Sequence, residues 1–402
     1  MKISIHTMYF LPEFGSAPIL MNELAEHFVR GGRPVEVMTT IPRPPHHDPY
    51  RGKFFVTEKK DGFIVKRTWT NVTPNPIGRL VAWTVYTLAT FLNLFSIRRG
   101  DVVFLRLPPL QLGITGILGR VFRGAPFILN VQDIHPDLSI ESGILKNPLA
   151  IKMAKAFEKW TYKHSPVILV ISEGFKNNLL AKGVPAEKIR IIPNWVDTDF
   201  LRPQRKENPV AARLGLDKAF VAMYSGTISI SSNAALERIL ESAKILEAAK
   251  DIKIVLVGEG LKKRSLEDKA AALGLKNVVF LPFQPYGDLP AMLSGADILL
   301  VPLDREKSHL SVPSKLYNFM AAGRPILGLA DTSSEVAGLI GSTDCGICAE
   351  PDDPRDIARA ILKIKNAPAQ ARRWGENGRK YAETTFGKDV VLRKYEELIE
   401  SL

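Results

Sequence analysis

Short apolar runs of strand length alternate with longer amphipathic stretches along this chain, and the alternation occurs twice. In the first half the runs are residues 2–6, 34–40, 101–105, 126–131 and 166–172, with helical patterns at 20–29, 110–122 and 151–164. Continuous apolar strands separated by helices predict a parallel sheet covered on both faces. Residues 54–68 break the rhythm and read as a hairpin turning at Asp61-Gly62. Residues 193–208 lack a long apolar run, and their latter part reads as a linker. Strand patterns then resume at 220–224, 252–257, 278–281, 298–301 and 325–329. Helical patterns fill 233–249, 261–273, 314–322, 355–365, 368–384 and 388–402. The expectation is an α/β chain with two doubly wound parallel-sheet domains, 1–205 and 206–387. Ligands would bind where the carboxyl ends of the two sheets face each other.

Composition narrows the class. At 402 residues, 46% hydrophobic and 24% charged, the chain can bury the cores of two soluble domains. Gly 29 and Pro 28 exclude a collagen-like or low-complexity chain. Cys345-Gly346-Ile347-Cys348 supplies half of the four ligands zinc normally takes, so no metal site is expected. Two cysteines cannot staple a chain of this length and point to a reducing compartment. The N-terminus opens on a strand-like run without a leader pattern, so a cytoplasmic location is expected.

The charge is uneven. Of the net +12, residues 1–200 carry +9. Such a field attracts polyanions, phosphorylated ligands or anionic lipid. No basic run interleaved with aromatics is present, which argues against nucleic acid. Residues 80–97 are almost wholly apolar, including Val81, Trp83, Tyr86, Leu88, Phe91, Leu92 and Phe95 between Arg79 and Arg98-Arg99. Three readings are open: a buried core helix, a helix lying in a membrane surface, and a spanning helix. The threonines and Asn93 weigh against the last.

Several strand ends carry polar chemistry. The first strand runs into Tyr9-Phe10-Leu11-Pro12-Glu13-Phe14-Gly15 and then a helix, where Gly15 suits a phosphate or an acceptor hydroxyl. Asn130-Val131-Gln132-Asp133-Ile134-His135 follows another; Asp133 could accept from sugar hydroxyls and His135 could donate or titrate, although both residues also make ordinary turns. In the second half, Gly226-Thr227 and Gly258-Glu259-Gly260 end two strands and would admit a nucleotide. Lys262, Lys263 and Arg264 follow, as cations for a diphosphate or as a solvated face. Pro313-Ser314-Lys315 reads as a helix start presenting an ammonium and a hydroxyl to an anion, with Gly323 and Pro325 ending that helix.

Tyr-Phe-Leu-Pro-Glu-Phe-Gly (residues 9–15), Pro-Asn-Trp-Val-Asp (193–197), Gly-Glu-Gly (258–260) and Pro-Ser-Lys-Leu-Tyr-Asn-Phe-Met-Ala-Ala-Gly-Arg-Pro (313–325) resemble the retaining glycosyltransferases of family 4. The likeness covers almost the whole chain in order. It is strongest to bacterial enzymes of O-antigen, capsule or exopolysaccharide assembly, including N-acetyl-L-fucosamine transferases. The resemblance implies a GT-B fold, an N-terminal acceptor domain, a C-terminal UDP-sugar domain and no catalytic metal or other cofactor. It implies that the helix at 388–402 packs back on the first domain. By position, Gly15 would lie near donor phosphates or acceptor and Asp133 near the transferred sugar. Gly226, Ser314 and Lys315 would surround the diphosphate, with Glu335 near the donor.

The sequence departs from the family pattern in places. Leu310 and Asn318 stand where relatives carry two glutamates; Asn318 can still bond a ribose, and His309, Ser311 or Glu335 would have to cover the other. Gln132-Asp133 replaces a His-Asp pair, and Ser229 replaces a second glycine in the Gly226 loop. The customary Arg/Lys pair is missing, so Lys262 or Arg264 would substitute.

The reading is a metal-independent retaining transfer of an N-acetylated amino or deoxyamino sugar from UDP to a polyprenyl-diphosphate-linked acceptor. The enzyme would sit on the inner face of the plasma membrane through 80–97. Asp133, His135 and Lys315 would do the chemistry. Gly15, Gly226, Thr227, Gly258, Gly260, Lys262, Ser314, Asn318 and Glu335 would bind the donor. A UDP-sugar 2-epimerase of the same architecture is the alternative.

Overall fold

The computed structural model describes residues 1–402 except 14, 45, 71–74, 229–232 and 304–312. The chain divides into two compact units: Met1–Asn194 with Val391–Leu402, and Trp195–Val390. The first division falls between Asn194 and Trp195, ahead of the expected position 205, and the last helix is shared, its first three residues counting with the second unit.

Unit 1 holds an eight-stranded sheet. Its strands are β1 (Ile3–His6), β2 (Val35–Thr40), β3 (Phe55–Lys60), β4 (Phe63–Thr68), β5 (Val102–Leu107), β6 (Phe127–Val131), β7 (Val167–Val170) and β8 (Ile189–Ile191). Their order is β3-β4-β2-β1-β5-β6-β7-β8, parallel except for the β3–β4 hairpin. The central strands are buried throughout because helices cover both faces. From β1 the chain goes to β2 on one side and later to β5 on the other, so the order reverses between β1 and β5. That is where ligands enter an open α/β sheet.

Unit 2 holds a six-stranded, wholly parallel sheet: β9 (Phe220–Ser225), β10 (Ile252–Val257), β11 (Val278–Leu281), β12 (Ile298–Pro302), β13 (Ile326–Leu329) and β14 (Gly346–Ala349). The order β11-β10-β9-β12-β13-β14 reverses between β9 and β12. One face packs on Leu236, Ile239, Ile357 and Ile361, the other on Met292, Leu316, Phe319 and Met320.

Local signals move several boundaries. The apolar helix spans Pro76–Asn93, starting before residue 80 because Asn75 caps it through Gly78 N (2.6 Å) and Pro76 opens its first turn. The first helix already begins at Ser16. The helix of the strongest motif is Lys315–Ala321, shorter than 314–322. The helix after Gly260 is Lys263–Ala272.

The Pro76–Asn93 helix is not a fully buried core helix. Ala82, Tyr86, Ala89 and Thr90 face inward, with the Tyr86 hydroxyl donating to Met38 O at 2.7 Å. Ile77, Leu80, Leu88, Leu92 and, just beyond the helix, Phe95 face outward. Ile77–Ser96 is the one segment among the described residues long and apolar enough to cross a membrane. Its inward flank is built into the unit's core, which is incompatible with a lipid-surrounded span.

Candidate functional site

Unit 2 builds its carboxyl edge from backbone. Beyond the last β9–β10 ladder pair, the two following loops stay zipped. Gly226 N donates to Val257 O (3.0 Å), Ile228 N to Glu259 O (2.9 Å) and Lys262 N to Ile228 O (3.3 Å). A Cβ on Gly258 would stand 2.0 Å from Gly226 O, and one on Gly260 2.2 Å from Ile228 O. These two glycines therefore let one loop lie on the other, which is a more local task than admitting a nucleotide. Gly226 is different: its missing Cβ leaves room for a side chain, since the Lys315 ammonium would lie 2.6 Å from it.

Lys315 opens its helix with its ammonium 3.9 Å from the centroid of the buried Tyr224 ring. Tyr224 is fixed by its hydroxyl donating to Thr227 O at 2.7 Å, while Thr227 itself is exposed. No carboxylate among the described residues pairs with Lys315, and burial alone lowers its pKa to about 7. Among the described residues, then, this buried cation is met by one aromatic face and by no anion, which suits it to receive one. Ser314 makes no capping bond, and Asn318 lies one turn on along the same helix. Of the basic triplet, Lys263 pairs with Glu259 (2.7 Å) and Arg264 with Asp268 (3.2 Å); Lys262 alone has no acidic partner among the described residues. Glu335 opens the helix after β13, where Ser334 caps through Ala337 N at 3.1 Å. His309, Leu310, Ser311 and Ser229 lie outside the described residues.

Unit 1 builds its edge from side chains. Glu13 is buried and braces the loop by accepting from Arg43 N (3.0 Å) and Arg43 Nε (3.1 Å), with the guanidinium 4.8 Å over the Tyr9 ring. Gly15 is exposed at the start of the Ser16–Arg30 helix, which has no acidic residue in its first turn. Gln132 Nε2 donates to Asn130 Oδ1 (3.0 Å), and Asn194 Nδ2 to Gln132 Oε1 (2.9 Å). The Pro-Asn-Trp-Val-Asp segment thus anchors the loop that carries Asp133 and His135. Its Asp197 closes a turn through the amides of Asp199 (3.0 Å) and Phe200 (2.8 Å).

Asp133 and His135 line a narrow crevice with Leu107, Pro108, Leu110 and Tyr162. His135 Nδ1 bonds Ser139 Oγ at 3.0 Å, and its ring meets Trp83 edge-on at 5.5 Å. Burial lowers its pKa, opposed by Asp133 and reinforced by Arg79, so the imidazole is neutral at pH 7. The structure therefore gives His135 a hydrogen-bonding part rather than a cationic one. Among the sequence candidates, Gly15, Asp133 and His135 belong to unit 1 and the others to unit 2. Sequence reasoning missed Tyr224, whose ring lies under the ammonium, and Arg106, an arginine inside an otherwise apolar strand.

Comparison with known proteins bears on both units. Residues 17–195 match the family described as glycosyl transferase 4-like domain, and residues 211–381 match glycosyl transferases group 1. The putative colanic acid biosynthesis glycosyl transferase WcaI of Escherichia coli K12 is 27% identical over 415 residues, covering 98% of each chain. Sucrose-phosphate synthase from Thermosynechococcus elongatus superposes with a TM-score of 0.78 at 17% identity, over 100% of this chain and 98% of that one. Anabaena Alr3699/HepE in complex with UDP-glucose gives 0.74 at 15% identity, over 100% of both. The chain shares the GT-B fold of these two solved structures.

Proposed function

Because the chain belongs to the GT-B glycosyltransferases of the family 4 type, we propose that it moves a sugar from a UDP-activated donor to a lipid-linked sugar during polysaccharide assembly. Unit 2 would hold the donor and unit 1 the acceptor. The observation that carries this reading is the buried Lys315 ammonium, unpaired among the described residues, beside the zipped glycine loops. HepE holding UDP-glucose and WcaI belonging to colanic acid assembly support the donor class and the setting. Both matched families are described as glycosyl transferases and WcaI is named a putative one, which weighs against the 2-epimerase alternative.

The chemistry follows from charge. When the bond from the anomeric carbon to the β-phosphate oxygen breaks, negative charge collects on the departing diphosphate. Lys315 neutralises it, with Lys262 and the Ser314 hydroxyl as further donors. The acceptor hydroxyl attacks the anomeric carbon from the same face, and its proton passes to the phosphate oxygen that has just left, so configuration is retained. Asp133 accepts from sugar hydroxyls and fixes the orientation. Side chains and amides carry the charge in this scheme, so EDTA should leave turnover unchanged. The outward face of the Pro76–Asn93 helix, with Arg123 lying 5.6 Å over Phe95, supports a seat on an anionic membrane surface.

Calorimetric titration with UDP tests the donor claim. The wild type should bind, and Lys315→Ala should weaken binding by roughly 10- to 100-fold, the range for a lost charge-assisted contact. It should also cut turnover by roughly 100-fold or more with folding retained. A wild type that gives no heat with UDP would end the proposal.

A further inference from the structure

Unit 1 contains a buried cation that nothing above employs. β5 reads Val-Val-Phe-Leu-Arg-Leu, and Arg106 is its one polar residue. Its backbone partner in the sheet is Asn130, so both side chains leave the same face beside Phe104. Tyr395, from the C-terminal helix, covers that face with its ring 5.8 Å from Phe104. The guanidinium Nε is sealed from solvent without an acceptor, and no ion pair or hydrogen bond among the described residues engages the group. Asp133 is the one carboxylate whose field acts on it, yet the two form no ion pair.

Another buried arginine of the same unit shows how unusual this is. Arg67 donates to Glu58 (2.9 Å), to Leu11 O (2.6 Å) and to Thr40 O (3.5 Å). Protein interiors rarely leave such a group unmet, because an uncompensated charge in a low-dielectric site is costly. Arg106 also stands near the end of β5, beside the point where the strand order reverses, and the residue keeps part of its surface there. Beside it, Gln132 Nε2 donates to Asn130 Oδ1, while the buried Asn130 Nδ2 has no acceptor among the described residues.

We infer that Arg106 recognises a phosphoryl group of the acceptor, while Asp133 beside it takes a sugar hydroxyl. Unit 1 therefore selects a sugar attached to phosphate or diphosphate. This deepens the proposed transfer and rests on that reading for the word acceptor. The anion site itself does not depend on UDP. A guanidinium meets a phosphoryl group with two parallel N–H donors, which a lysine cannot copy.

The experiment uses the full chain and inorganic pyrophosphate as probe, titrated by calorimetry in the Lys315→Ala background, which disables the unit 2 cradle. Pyrophosphate should still bind, and adding Arg106→Gln should weaken it at least tenfold. In the otherwise wild-type chain, Arg106→Gln should leave UDP affinity within twofold. Unchanged pyrophosphate binding in the Arg106→Gln form would overturn the inference. Arg106→Met guards against a folding artefact: removing an unmet buried charge should hold or raise Tm, whereas a large fall in Tm would make Arg106 a structural residue and overturn the inference too. Failure of UDP to bind any form would remove the donor reading and leave the pyrophosphate result standing. Farnesyl diphosphate binding tenfold tighter than pyrophosphate, dependent on Arg106, would assign the site to a lipid-linked acceptor. Equal affinity would assign it to a soluble sugar phosphate.

Discussion

The two sheets finish their carboxyl edges by different means. Unit 2 lays one glycine loop directly on another, so its edge is backbone against backbone. Unit 1 uses side chains: the Glu13–Arg43 brace, the Asn130–Gln132–Asn194 chain and the Trp83–His135 contact. Each edge also holds a buried cation with no acidic partner in bonding range among the described residues, Lys315 in one and Arg106 in the other. A backbone-built edge admits few substitutions and suits a ligand part that does not vary, such as a nucleotide diphosphate. An edge built from side chains can be re-cut one residue at a time, which suits a partner that differs between enzymes.

The sharpest way to break this contrast is a methyl group. Gly258→Ala puts a Cβ 2.0 Å from Gly226 O, where only backbone can yield. Loss of about 3 kcal/mol or more of stability is expected, together with UDP binding. Gly15→Ala meets nothing closer than Pro18 Cδ at 3.9 Å; it bears only the strain of φ +127°, which should cost on the order of 1–2 kcal/mol. Denaturant unfolding of both variants measures the difference. Equal losses would erase the distinction between the edges.

The pH dependence of donor binding comes next in size. Burial holds the Lys315 ammonium at about 7, well below its ordinary 10.5. In the empty protein its charge is lost as pH rises through about 7, whereas the unfolded chain keeps that charge to about 10.5. The buried charge therefore costs stability most below pH 7, and the cost fades as pH climbs toward 10.5. Lys315→Met should stabilise the empty protein more at pH 6 than at pH 9. UDP-glucose, whose phosphates do not titrate here, should bind most tightly below pH 7, with affinity falling up to about tenfold per pH unit above it as binding draws in a proton. A flat profile from pH 6 to 9 would remove Lys315 from the diphosphate.

Third is the exposed apolar face of unit 1, on and beside the Pro76–Asn93 helix. Phe95 and Phe122 are 73% and 72% exposed, close to Arg120 and Arg123 in sequence or space. Leu92→Ser, Phe95→Ser and Phe122→Ser should each release the protein from vesicles of mixed phosphatidylglycerol and phosphatidylcholine by roughly tenfold, the value of burying one large apolar side chain. Their thermal unfolding should hardly move, since these side chains already face water. Unchanged sedimentation with vesicles would leave the face without a membrane role.

How much of this could be read in the residues depended on range. Strand–helix alternation is local, so both sheets were visible, as were the hairpin and the glycine-ended strands. β8 escaped because Ile-Arg-Ile is too short to show a period. The Asn75-Pro76 start was a missed capping signal. Lys315 was legible from its helix start, but its contact with Tyr224 was not, because the ring comes from a strand far earlier in the chain. Glu13 looked idle until Arg43 arrived from the end of β2. Arg106 passed unnoticed because a lone cation in an apolar run reads as a strand end. Only the missing partners in three dimensions give it meaning.

The smallest expected effect concerns His135, and it separates geometry from proton transfer within unit 1. Its ring is held by Ser139 and Trp83, and burial keeps it neutral, with Arg79 pushing the same way and Asp133 opposing. A group that is neutral throughout the working range adds no ionisation to the rate profile between pH 7 and 8, so His135→Asn, which keeps a hydrogen-bonding side chain, should lower turnover by less than about tenfold. Nuclear magnetic resonance titration of the ring supplies the check. His135 should titrate below the ordinary 6.5, and Arg79→Gln should raise its midpoint by removing one of the charges that disfavour the imidazolium. A midpoint above 6.5 in the wild type, with turnover following the same curve, would return to His135 the acid role that its burial now denies it.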